Sequence, residues 1–176
     1  MTVLHRPEPP LPEVEEPTMR RCGHYIELTE GEAVVLAMLA GDLNSVRIAD
    51  RTGWSYNVAR GRLLRLKRKT GAESAPQVVD VACRTGLLVP PLAGLRTPLP
   101  PLAVLSFRAV AHGRTNRQVA LLRGVSESTV GADLAAIRHR MRTEGNPAAV
   151  YRLHGVPGVM DTAVPPCPAC SRGAAR

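Results

Sequence analysis

Between Ser55 and Lys69 the chain carries Arg60, Arg62, Arg65, Lys67, Arg68 and Lys69, with no acidic residue among them. Guanidinium and ammonium groups at this density are donors for anionic oxygens, and arginine can also bond two acceptors on one base edge. Placed on a helix, Val58, Ala59, Leu63 and Leu66 take the inward spacing, which leaves Asn57, Arg60, Gly61 and Leu64 facing out. Asn57 and Arg60 then offer hydrogen bonds to base edges. Arg62, Arg65, Lys67, Arg68 and Lys69 are placed to meet phosphates. The bland alternative is a solvated basic face.

A second set of chemically able residues lies at the two ends. Cys167-Pro168-Ala169-Cys170 has the CxxC spacing of a zinc knuckle, and Cys22-Gly23-His24 sets a histidine two residues after a thiol. Together Cys22, His24, Cys167 and Cys170 would make one Cys3His tetrahedral zinc site joining the chain's ends. The competing reading is a thiol pair with no metal. Cys83, in the apolar run Val78-Val79-Asp80-Val81-Ala82-Cys83, reads as a core residue. His5, His112, His139 and His154 belong to no constellation and read as surface or edge residues.

The elements that must position these side chains occur twice. Leu28 to about Pro76 aligns without a gap on Leu99 to about Pro147 at a constant offset of 71, with Leu28/Leu99, Ala49/Ala120, Gly53/Gly124, Ser55/Ser126, Leu63/Leu134 and Pro76/Pro147 as identical pairs. Each copy reads as four helices. In the first, Thr29-Glu30-Gly31-Glu32 is a capping box, Gly41-Asp42 closes the helix, and a short helix follows from about Asn44 to Arg51. Gly53 supplies a left-handed turn, Ser55 caps a helix over about 56–69, and Pro76 opens a fourth that ends before Gly86. The second copy places helices at about 101–111, 116–122, 127–142 and 147–153. The expected organisation is an N-terminal tail and approach (1–27), a first unit (28–88), a linker (89–98), a second unit (99–160) and a C-terminal tail (161–176). The tail 1–19 holds five prolines and Glu8, Glu13, Glu15 and Glu16, and has little to bury.

A short helix, a glycine turn and a capped, basic second helix form a helix-turn-helix. The run from Arg114 to Val130, above all Gly124-Val125-Ser126-Glu127-Ser128-Thr129-Val130, resembles the helix-turn-helix core of the LuxR/GerE class of bacterial transcription regulators. Leu28-Thr29-Glu30-Gly31-Glu32 and Ile48-Ala49-Asp50-Arg51-Thr52-Gly53-Trp54-Ser55 carry the same likeness into the first unit. The resemblance implies an all-α chain of two tandem four-helix domains that bind DNA. It puts a basic groove-contacting residue at Arg60 and gives the fourth helices to dimerisation, within one chain or between two. Neither a receiver nor a sensor domain is expected ahead of the units. The second unit's outward positions are Ser128, Gly131, Ala132 and Ala135, with Asp133 nearby, and its charge comes late, at Arg138, Arg140 and Arg142. Two readings stay open for it: backbone binding through Thr115, Asn116, Arg117, Ser128, Arg138 and Arg140, or a packing and dimerisation module.

Bulk properties agree with a polyanionic partner. The 176 residues carry a formal net charge of +8 and a pI near 10.2. Lysine occurs only at Lys67 and Lys69, a bias toward arginine that suggests a GC-rich bacterial genome. With no run of 18 apolar residues and no signal pattern, a cytoplasmic, nucleoid-associated protein is expected. No phosphate loop, carboxylate pair or nucleophile–base spacing points to an enzyme. The leading expectation is a sequence-specific DNA-binding transcription regulator with double-stranded DNA as partner. The alternative is an interaction module that docks on RNA polymerase, a sigma factor or another regulator.

Overall fold

The computed structural model describes residues 11–13, 26–92, 98–160 and 163. The described residues form eight α-helices and no strand, so the chain is all-α. The first unit contains α1 (Glu30–Ala40), α2 (Ser45–Thr52), α3 (Tyr56–Thr70) and α4 (Ala75–Arg84). The second contains α5 (Pro101–Ala111), α6 (Asn116–Arg123), α7 (Glu127–Met141) and α8 (Asn146–His154). Pro101, Asn116, Glu127 and Asn146 each stand 71 residues after Glu30, Ser45, Tyr56 and Ala75. The sequence offset is therefore an offset of helix starts.

Those starts are fixed by local chemistry. A helix leaves its first N–H groups without partners, and short polar side chains supply acceptors. Asn44 accepts from Val46 and Arg47 N–H, Ser55 from Val58, Ser74 from Gln77 and Ser126 from Thr129. Thr29 N–H donates to Glu32 Oε2 at 3.0 Å, and Thr115 N–H to Gln118 Oε1 at 2.8 Å. The turns between α2 and α3 and between α6 and α7 pass through Gly53 (φ 68°) and Gly124 (φ 65°), the left-handed conformation that the glycines were expected to supply.

Within each unit the first helix packs on the third, and the second packs on the third. Leu36 and Phe107, equivalent in the repeat, are the largest fully buried side chains of α1 and α5. A unit of this size buries only a modest core alone. Here one hydrophobic cluster runs from Ile26 to Met160 through both units. The seam is chiefly α4 against α8. Val78, Val79, Val81 and Ala82 face Ala148, Ala149, Val150 and Leu153, and all are buried. Pairing of the fourth helices thus takes place inside one chain.

The seam also holds charge. Asp80, fully buried, lies 2.6 Å from Arg84 and 2.9 Å from His154 Nε2. His154 is a correction to its reading as a surface or edge residue. It was misjudged because its partner is 74 positions away in sequence. Cys83 is half-buried beside this group. Burial and the Asp80 carboxylate push its thiol pKa far up, which disfavours the thiolate.

Candidate nucleic-acid interface

The outer face of α3 is a stripe of Asn57, Arg60, Leu64 and Arg68, all exposed. Their spacing of three to four residues keeps them on one side over about 16 Å of helix. Arg60 and Arg68 have no ion pair or hydrogen bond to any described residue, so their guanidinium groups are open to a ligand. Gly61 lies half-buried within this helix and has open space where a Cβ would stand.

The other cations of α3 are partly engaged within the fold. Arg62 stacks on Trp54, its guanidinium carbon 3.7 Å from the ring centroid. A Cβ at Gly31 would overlap that guanidinium, so glycine there leaves room for the stack. Lys69 Nζ bonds Glu32 Oε2 at 2.6 Å and Glu27 O at 2.7 Å. Arg65 lies 3.4 Å from Glu32 Oε1, and Lys67 Nζ donates to Glu73 O at 2.9 Å. Glu32 is therefore the anchor that holds α3 against the start of α1. Burial opposes its charge, but Lys69 and the Thr29 N–H outweigh that and hold its pKa below the ordinary value.

One expected orientation is corrected. Val58 is 42% exposed, not turned inward. The inward positions of α3 are Ala59, Leu66 and Thr70, with Leu63 half-buried, and Val58 stands one 100° step round from Ala59. It adds an apolar surface beside the exposed stripe.

The corresponding helix α7 presents Ser128, Thr129, Ala132, Ala135, Ala136 and His139 to solvent. Asp133 does not stand free on this face. Arg123, at the end of α6, pairs with it and also donates to Ser106, so its charge is neutralised inside the unit. Arg138 donates to Asn146 Oδ1 at 2.7 Å and Arg140 to Pro98 O at 3.3 Å. Thr115 caps α6 through its hydroxyl, while Asn116 and Arg117 are exposed at that helix start. Sequence reasoning missed a separate feature of this unit: Leu102, Leu105, Leu121 and Leu122 are 61%, 52%, 75% and 71% exposed. Their repeat equivalents are Gly31, Val34, Asp50 and Arg51, a contrast visible once the copies are aligned.

The expected zinc ligands Cys22, His24, Cys167 and Cys170 lie outside the described residues. Among the described residues no helix is long and apolar enough to cross a membrane.

The chain is similar to the Transcriptional regulatory protein YdfI of Bacillus subtilis (strain 168), at 33% identity over 78 residues. That stretch is 44% of this chain and 37% of the relative, so the match spans less than half the length of either protein. No family model matches the chain, and no solved structure matches it.

Proposed function

We propose that this protein is a DNA-binding transcription regulator that lays α3 in a major groove. The observation that carries the reading is the α3 stripe. Arg60 and Arg68 project from it without a partner among the described residues, while the neighbouring cations brace the helix. Asn57 and Arg60, near the helix start, take the base edges, and Arg68, two turns on, takes a phosphate. The resemblance of both units to LuxR-type helix-turn-helix domains supports this assignment, as does the similarity to a regulator from Bacillus subtilis.

The two arginines separate in a binding experiment on selected duplexes. Arg60→Ala should cost about 1–3 kcal/mol on the preferred sequence and relax its sequence preference. Arg68→Ala should weaken all sequences alike and lower the salt slope by about one. Unchanged affinity and preference in Arg60→Ala would remove α3 from the groove.

A second reading concerns the second unit alone. The exposed Leu102, Leu105, Leu121 and Leu122 favour a protein surface on α5 and α6, such as RNA polymerase or a sigma factor would supply. Binding of purified RNA polymerase that is lost in Leu121→Ser/Leu122→Ser, with DNA affinity unchanged, would support it. Polymerase binding equal in both proteins would reject it.

A further inference from the structure

The contacts across the seam join reciprocal elements: α1 meets α8 as its equivalent α5 meets α4. Asp80 of α4 meets His154 of α8 at 2.9 Å. The repeat equivalents of these two residues are Tyr151 and Cys83, which lie on the same two helices of the seam, Tyr151 buried and Cys83 half-buried. The same holds at the helix starts. Asp42, after α1, accepts hydrogen bonds from Glu144 and Gly145 N–H, before α8, at 2.6 and 2.7 Å. The equivalent of Asp42 is Gly113, after α5. A Cβ there would strike the Gln77 side chain, whose Oε1 holds the N–H of Glu73, the equivalent of Glu144.

A third pair closes the other end. The backbone after α4 crosses to α8, where Gly155 abuts Pro91 O and Tyr151 donates to Val89 O at 3.1 Å. The backbone after α8 crosses to α4, where Arg84, equivalent to Gly155, donates to Ala163 O at 2.9 Å. An interface in which equivalent elements of the two halves meet each other reciprocally is isologous, the signature of two-fold pairing. Here it joins two halves of one polypeptide, so the operation that exchanges the units exchanges α3 and α7.

The halves it relates are chemically unequal. Position for position, Arg60, Leu64, Arg65 and Arg68 of α3 become Gly131, Ala135, Ala136 and His139 of α7. One helix keeps two exposed arginines on its outer face, Arg60 and Arg68; the other has glycine and histidine in their places. A homodimer must read both half-sites alike. This chain has no such constraint.

We infer that the protein binds DNA as a single-chain pseudo-dimer whose target is a non-palindromic duplex. One half-site is specified by base contacts from α3. The other, about one helical turn away, is held through its backbone by the second unit without base readout. The inference rests on the proposed DNA binding. It further states stoichiometry, symmetry and where in the site the sequence information lies.

Selection of bound duplexes from a random pool by the full chain, followed by native mass spectrometry and hydroxyl-radical footprinting on the winner, tests it. The expected result is one chain per duplex, two protected patches about one turn apart, and sequence preference confined to one patch. Arg60→Ala should relax that preference and leave both protected patches. Two chains on a palindromic site, or preference in both patches, would overturn the pseudo-dimer and leave the proposed DNA binding standing. No retained duplex from the pool would overturn both.

Discussion

At the scale of single residues, charge in α3 serves two purposes that the sequence does not separate. Arg60 and Arg62 are two positions apart, yet one is open to solvent and the other stacks on Trp54. The difference follows from the 100° step between successive helical residues, which turns Arg62 toward the α2–α3 turn. Glu32 shows the same division, since it is both helix cap and ion-pair partner. Its folded pKa is lowered, so its contribution is present above the ordinary value of 4.5 and is lost as pH falls through the folded value. Glutamine at 32 keeps the capping geometry and loses the charge. Glu32→Gln should therefore cost about 1.5 kcal/mol at pH 7. Urea titrations should show that difference shrinking toward zero below pH 4.5 and through the lowered folded value. A difference that does not change with pH would mean that the pairing with Lys69 and Arg65 contributes nothing.

At the scale of elements, the helix boundaries were legible because they are local. Asn44, Ser55, Ser74 and Ser126 bond N–H groups two or three residues ahead, and Gly53 and Gly124 set turns whose backbone requirement depends on no distant contact. Facing was less legible. Val58 looks inward by hydrophobicity, but the buried positions of α3 are Ala59, Leu66 and Thr70. Comparing the copies exposes another left-handed position. α3 ends on Gly71 (φ 69°), whereas α7 ends on its equivalent, Arg142 (φ 53°). A non-glycine residue there is strained on the order of 1 kcal/mol. Arg142→Gly should relieve it and raise the stability of the full chain by about 0.5–1 kcal/mol in urea unfolding, without moving α7. A loss of stability instead would show that the Arg142 side chain makes a stabilising contact worth more than the strain.

At the scale of the whole molecule, the repeat suggests two domains, but the packing makes one body. The repeat alone does not reveal this, because the contacts that join the units fall between residues far apart in sequence, such as Asp42 and Gly145, 103 positions apart. Asp80 and His154 are unremarkable in their own segments and become a buried pair only when α4 meets α8. The consequence is cooperative. Trp54 is the sole tryptophan and reports on the first unit, while helical circular dichroism reports on both. If the shared core couples the units, the two signals should trace one coincident urea transition. Asp80→Ala removes the carboxylate that Arg84 and His154 face and leaves the Arg84 guanidinium, 11% exposed, without its partner. Breaking a buried pair from one side costs about 3–5 kcal/mol. Since Asp80 is inside the first unit but bonds the second, both signals should shift together to lower urea. A variant in which only the fluorescence transition moves would mean that each unit stands on its own core, and that the α4–α8 seam is a contact between finished domains.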